Sequence, residues 1–286
     1  QYLVAHYGIQ KIGAIVCPSG PLNKEHELAY QVGDLNARVI VAAAPLLPVV
    51  DKVREQVPSL EHVFVVHYAD LLPAPGAGTI DLPAELKAAQ QEPRTVPARC
   101  EDFLAVMRSD ARPAPVAIGM DDIALMTYTS GTTGLPKGAM LSYGNALFKT
   151  RAAGDCNGVT PDDVLLSIAP LYHIAGMLMG VNVPVLSGAT SVLLHRFDPH
   201  AVPQAIEKYR VSWWYSIAPM NVAVMQLPDI ATFDLSSLKR NPVTSFGIAF
   251  TEPLANQWRG VARNCASFEA AYGLSETHTC DTYTPQ

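Results

Sequence analysis

Short apolar runs alternate with segments of helical period along almost the whole chain. "GAIVC" (13–17), "RVIVAA" (38–43) and "HVFVV" (62–66) predict strands, with helix-like pieces after Asn23 and after the second run. The pattern resumes at "IALMTY" (123–128), "VLLSI" (164–168), "TSVLL" (190–194), "VSWWYS" (211–216), "VTSFG" (243–247) and "SFEAAY" (267–272). Strands written as continuous hydrophobic runs belong to parallel sheets covered by helices on both faces, where neither side of the strand meets water. The expectation is an α/β fold of two helix-covered, mostly parallel sheets. Turn residues in "GDCNGVTPDD" (154–163) mark a seam, giving a first subdomain over 1–155 and a second over 156–286.

Two stretches depart from this rhythm. Between 72 and 115 the composition shifts to proline, alanine and glycine, which predicts surface loops. The run 174–194 is long enough to cross a bilayer, but Asn182, Pro184, Gly176, Gly180, Ser187 and Gly188 interrupt it. A buried helix followed by a buried strand accounts for it, and no transmembrane segment is expected.

Apolar residues make up 49% of the chain and charged residues 16%, which excludes an extended disordered protein. A formal charge of −6 with no block of consecutive basic residues offers nothing to a nucleic-acid backbone. Cys17, Cys100, Cys156, Cys265 and Cys280 form no C-x-x-C pair and read as buried thiols of a reducing compartment, hence a cytoplasmic protein. A homodimer is one assembly open to it. The chain opens on Gln1 with no basic leader, so a piece of a longer chain is expected.

The chemistry concentrates in "TYTSGTTGLPKGAML" (127–141). A Walker A loop needs G-x-x-x-x-G-K-[ST], whereas Gly131 and Gly134 are separated by two residues and Gly138 follows Lys137. "GAML" reads as a short strand, and Ser142 as the N-cap of a helix in "YGNALFKT". The segment still suits an anion: glycines let backbone N–H groups turn inward, while Thr129, Ser130, Thr132 and Thr133 add hydroxyls and Lys137 a point charge. Hydrogen bonds to charged groups contribute about 1.5–3 kcal/mol each. A few of them therefore reach the roughly −8 kcal/mol of micromolar affinity. A flexible Thr/Gly loop with a solvated lysine has the same composition, and composition alone does not separate the two.

"YTSGTTGLPKGAMLSYGN" resembles the phosphate-loop signature of the adenylate-forming superfamily, which holds acyl- and aryl-CoA synthetases, luciferases and peptide-synthetase adenylation domains. "PLYHIAGM" (170–177) resembles its aromatic-histidine motif and "YGLSET" (272–277) its YG-hydrophobic-[ST]-E motif, in the family's order. Upstream, the segment 13–41 is similar to the region that precedes the phosphate loop in acyl-CoA synthetases. The resemblance covers essentially the whole chain and implies the large domain of such an enzyme.

It implies ATP, Mg2+ and coenzyme A as partners of a small-molecule carboxylic acid. The acid attacks the α-phosphorus of ATP, and the acyl adenylate then passes its acyl group to a thiol. Pre-aimed donors and a divalent cation dominate such chemistry, because it brings an anion onto a polyanion. By resemblance, Thr129, Ser130, Gly131, Thr132, Thr133 and Gly134 with Lys137 hold the outer phosphates. Glu276 contacts magnesium together with Thr129, Ser275 faces the α-phosphate, and Tyr272 with Gly273 shelves the adenine. His173 walls the carboxylate pocket; an acid ionised at neutral pH needs orientation rather than a base. Taken singly, Glu276 reads as a surface glutamate, "YGLSET" as a capped turn and His173 as a packing residue.

Where the family reads S-G-G-A-P or S-G-A-A-P, this chain has "SFGIAF" (245–250), with Gly247 and Ile248 beside the nucleotide and larger side chains at Phe246 and Ile248. With "HIAGMLMG" and "SWWYSIAPM", these favour an aliphatic or aryl acid, and a medium- or long-chain fatty acid is the expected substrate. An aryl- or amino-acid adenylation domain, and a nucleotide-binding fragment without turnover, stay open as alternatives. The family's ribose-binding aspartate, hinge and mobile C-terminal domain have no counterpart in these residues, so a severely impaired adenylation is expected of the fragment. No Walker signature or kinase catalytic loop supports an unrelated phosphotransferase.

Overall fold

A computed structural model describes residues 1–74, 80–129 and 134–284. They fall into two compact units, Gln1–Ala14 with Ser19–Ala117, and Ile15–Pro18 with Ile118–Gln286.

The first unit is built on a three-stranded parallel sheet in which His62–Val66 lies between Val39–Ala43 and Glu101–Asp102. Val63 and Val65 alternate inward and are buried, and helices Glu25–Asp34 and Leu47–Gln56 set Leu28, Val32, Val50 and Val53 against them. The first of these helices opens with the Lys24 N–H donating to Glu27 Oε2 at 2.7 Å. The stretch 72–115 is not all loop. It carries helices Ala84–Ala89 and Phe103–Met107 and the edge strand Glu101–Asp102, while Arg94 ties it down by donating to Asp70 Oδ1 at 2.7 Å and to Asp102.

The second unit holds a six-stranded parallel sheet. Its order is Ala266–Glu269, Arg240–Thr244, the interrupted strand Trp213–Trp214 and Ser216–Ile217, Val164–Ser167, and Thr190–Leu193. Trp213, Trp214 and Trp258 are buried in it. The long apolar run becomes a helix in three pieces, Ile174–Met177, a π turn Leu178–Asn182 and Val183–Ser187, closed by Gly188 at φ 71°. Thr190–Leu193 then forms the sheet edge, so it is partly exposed rather than buried. No helix among the described residues is long and apolar enough to cross a membrane.

Three further expectations are corrected. "GAIVC" forms no strand; a single bridge joins Val16 to Leu125, with the Val16 N–H donating to Ala124 O at 3.1 Å and the Met126 N–H to Val16 O at 2.8 Å. The compact units do not divide at 155. Helix Tyr143–Cys156 packs on Val183–Ser187, where Gly154 admits a close neighbour in Ser187, and so 118–155 belong with the residues that follow. Cys265 and Cys280 are buried, but Cys17 and Cys100 are half-buried and Cys156 is exposed at the end of its helix.

Candidate active site

The phosphate-loop motif sits in an antiparallel hairpin of Ile123–Thr129 and Lys137–Ser142. Thr129 pairs with Lys137, so the two ends of the loop meet, and Thr129 Oγ1 donates to Lys137 O at 3.5 Å. A methyl on Gly138 would lie 2.9 Å from Met126 Cε across the hairpin, a contact that the flexible end of that side chain can relieve by moving. Ser142 caps the following helix as the sequence predicts, its Oγ accepting from the Asn145 N–H at 3.2 Å. Lys137 and Gly134 are exposed, and beyond its chain neighbours no atom of the described residues would lie within 4 Å of a Cβ on Gly134. Ser130, Gly131, Thr132 and Thr133 lie outside the described residues.

The second motif leaves the carboxyl end of Ala266–Glu269. Ala271–Tyr272 turns away to pair antiparallel with Thr282–Tyr283, and the loop 273–281 closes between them. Within it Ser275–Thr277 forms a 3-10 turn that lies against both hairpin strands, with α-carbons within 8 Å. Glu276, exposed on this turn, is thereby brought to the hairpin bearing Thr129 and Lys137, although the two motifs stand at opposite ends of the unit's sequence. Ser275 is half-buried and Tyr272 is 65% exposed. At Gly273 an added Cβ would fall 2.2 Å from the Cys280 nitrogen and 2.7 Å from Thr279 backbone carbons, so the loop closes only over glycine.

The loop returns through three consecutive left-handed residues, His278, Thr279 and Cys280, at φ 63°, 57° and 53°. Each such residue costs about 1–2 kcal/mol. Several contacts offset this. Asp281 collects bonds from Lys149 Nζ at 2.6 Å, Thr277 Oγ1 at 2.6 Å and the Leu274 N–H at 3.2 Å, and the Cys280 side chain is buried, whereas His278 is buried with both ring nitrogens unpaired among the described residues and adds to the cost. Burial acts to raise the pKa of the Asp281 carboxyl, but these bonds outweigh it and leave it below the ordinary value.

The neighbouring strand, Arg240–Thr244, empties into the turn 245–250. Glu269 holds that turn from the side, accepting from the Ser245 N–H at 3.0 Å and from Ser245 Oγ, which in turn accepts from the Phe250 N–H at 2.8 Å. Tyr215 OH meets Thr244 Oγ1 at 3.0 Å on the other side. Gly247 adopts φ 78°, the conformation glycine permits, and Phe246 and Ile248 stand exposed. Gly247 and Ile248 therefore leave the sheet beside the strand that leads to Tyr272 and Gly273.

His173 caps Ile174–Met177, its Nδ1 accepting from the Ala175 N–H at 3.3 Å. Desolvation by the surrounding protein lowers its pKa, so the ring is neutral at neutral pH. Gly176 lets the helix approach the strand exit, since a Cβ there would lie 2.1 Å from Pro170 O. Beneath, a small cavity is lined by Leu166, Ile168, Gly176, Met179, Gly180 and Tyr215.

No group of three His, Cys, Asp or Glu among the described residues could hold a metal. Glu276 and the Thr129 hydroxyl are hard oxygen donors without a protein cage. This suits magnesium that arrives on phosphate oxygens and keeps only one or two protein contacts. The sequence reading missed Glu269, Lys149 and Asp281. A charged residue in the apolar run "SFEAAY" was the available signal for Glu269, whereas nothing local marks the Lys149–Asp281 pair.

The chain is 29% identical to a long-chain-fatty-acid–CoA ligase of Bacillus subtilis over 84% of its own length and 43% of the relative's. It is 35% identical to a feruloyl-CoA synthase of an Amycolatopsis species over 59% of its length and 33% of that protein. The chain thus spans less than half of these curated relatives. Its fold matches a long-chain-fatty-acid-CoA ligase from Archaeoglobus fulgidus with a TM-score of 0.75 at 22% identity, covering 99% of this chain and 52% of that one. ATP-bound MatB from Rhodopseudomonas palustris gives 0.74 at 23% identity, covering 99% and 49%. The family model of AMP-binding enzymes matches residues 1–286, and the chain belongs to that family.

Proposed function

We propose that these residues form the nucleotide half of an acid–thiol ligase, which activates a carboxylic acid with ATP as an acyl adenylate and transfers the acyl group to coenzyme A. The observation that supports this reading is the seating of the Ser275–Thr277 turn against both strands of the hairpin, which brings the element bearing Glu276 to the element bearing Thr129 and Lys137. Lys137 offsets the charge of the outer phosphates and Thr129 donates to them. Ser275 donates toward the α-phosphate, where negative charge shifts as the carboxylate attacks. Bound magnesium supplies charge neutralisation at the phosphates; Glu276 and Thr129 would hold it. Tyr272 offers an exposed ring for the base, and neutral His173, whose Nδ1 is taken by the Ala175 N–H, orients the incoming carboxylate through its Nε2–H.

The acid is a medium- or long-chain fatty acid. The Bacillus relative supports this, as do the exposed apolar side chains of Phe246 and Ile248 on the turn after Arg240–Thr244. A second reading, an aryl acid, draws on the higher identity to the feruloyl-CoA synthase over a shorter stretch. ATP–pyrophosphate exchange by the full-length protein across fatty, aryl and amino acids tests both. Exchange that depends on an amino acid, or on no acid, overturns the proposal.

A further inference from the structure

Asp281 touches three separate parts of the second unit. Its Oδ1 accepts from Lys149 Nζ at 2.6 Å, and Lys149 also reaches Cys280 O at 3.4 Å. Its Oδ2 accepts from Thr277 Oγ1 at 2.6 Å and from the Leu274 N–H at 3.2 Å, so it grips both ends of the Ser275–Thr277 turn. Its own N–H donates to Tyr272 O at 2.7 Å, at the root of the loop. Lys149 stands on helix Tyr143–Cys156, which starts directly after the hairpin strand Lys137–Ser142. The pair is well shielded, with side chains 13% and 25% exposed, so water competes weakly for it. The contacts form one path from the hairpin, through its following helix, to the turn that bears Glu276.

We propose that Asp281, anchored by Lys149, is a positioning residue that keeps the Ser275–Thr277 turn seated against the phosphate-binding hairpin. This rests on the reading of Glu276 as the magnesium contact. Asp281 touches neither nucleotide nor metal in this scheme. It acts through the backbone of Leu274 and the hydroxyl of Thr277, and supplies the preorganisation that the exposed glutamate cannot provide for itself. The three left-handed residues before it make the seat costly to form, and the carboxylate is what closes it.

The test uses the full-length protein. Asp281→Asn keeps the size and loses the charge that holds Lys149. Thr277→Val removes one bond, and Thr277→Ser restores it. Calorimetry with ATP, in the presence and absence of Mg2+, is read beside amide hydrogen exchange at Leu274 and the KM values for ATP and acid. Expected for Asp281→Asn is a loss of about tenfold in ATP affinity with Mg2+ present, in the range found when groups behind a metal ligand are changed. AMP affinity and the KM for acid stay near the parent values, exchange at Leu274 quickens, and Thr277→Ser behaves as the parent while Thr277→Val does not. Unchanged Leu274 exchange overturns the proposal, as does an equal loss for AMP, ATP and acid, which would mark a general loosening of the unit. Glu276→Gln run in parallel separates the two claims. If it leaves the Mg2+ dependence intact, the metal reading of Glu276 is wrong, while Leu274 exchange in Asp281→Asn still reports whether the carboxylate holds the turn.

Discussion

Asn241 offers the sharpest test of what holds the strand exits in place. It is fully buried at the second position of Arg240–Thr244, and its Nδ2 donates to Trp214 O at 2.6 Å and to Ser216 Oγ at 2.9 Å. Its Oδ1 accepts from Asn221 Nδ2 at 2.6 Å, and Ser216 Oγ donates to Asn221 Oδ1 at 2.6 Å. The network spans the break between Trp213–Trp214 and Ser216–Ile217, which frees Tyr215 to reach Thr244. Asn241→Ala deletes three bonds at about 1 kcal/mol each and leaves the buried Asn221 amide without its acceptor at about 1–3 kcal/mol more, for a total of about 4–6 kcal/mol. The chain's three tryptophans all lie in the second unit, so their fluorescence follows that unit alone through a urea titration. With a slope of about 2 kcal/mol per molar urea, the midpoint should fall by about 2–3 M. A shift under about 0.5 M would show that the network is relaxed or water-filled and would refute the argument. Asn241→Asp, which keeps shape but cannot donate when ionised, should be at least as damaging at neutral pH.

Lys137→Ala should weaken ATP binding more than AMP binding in calorimetry, since its proposed partners are the outer phosphates, with a loss of about 1.5–3 kcal/mol for ATP; equal losses would place the lysine elsewhere. Gly273→Ala forces a Cβ onto the Cys280 and Thr279 backbone and should destabilise the unit by about 1–3 kcal/mol while abolishing tight ATP binding. An unaltered melting temperature would contradict the close approach. Toward an aromatic disulfide reagent at pH 8, exposed Cys156 should react first. Cys17 and Cys265, whose thiols burial pushes up to about 12, should lag far behind, and equal rates in the folded protein would count against that burial.

Much of the site could be read from local pattern, because its first parts are local. The run "IALMTY" became Ile123–Thr129, "GAML" fell inside Lys137–Ser142, and Ser142 took its cap, each from neighbours within a few positions. The order of motifs also carried Glu276 to the hairpin. What stayed hidden depends on partners far along the chain. "GAIVC" reads as a strand by composition, yet with its pairing limited to Val16 it forms only a bridge. Asn241 and Pro242 precede the run "VTSFG" that predicts a strand and are interior strand themselves, since parallel pairing to 213 and 266–268 decides their conformation. Glu269 and Asp281 are ordinary surface acids until the turns they hold are seen.

The small bridge at Val16 carries a consequence for synthesis. The second unit incorporates Ile15–Pro18, made early on the ribosome, but Ala124 and Met126, to which Val16 bonds, emerge only after the whole first unit has been translated. Those four residues must wait, and a polypeptide that began at Ile118 would lack them and leave the Ala124 carbonyl and the Met126 amide open on the inner strand of the hairpin. Contacts of such separation are closed late and slowly. Supplying a peptide that spans 13–20 in trans should therefore slow the unfolding of a chain shortened to 118–286 and leave its refolding rate nearly unchanged.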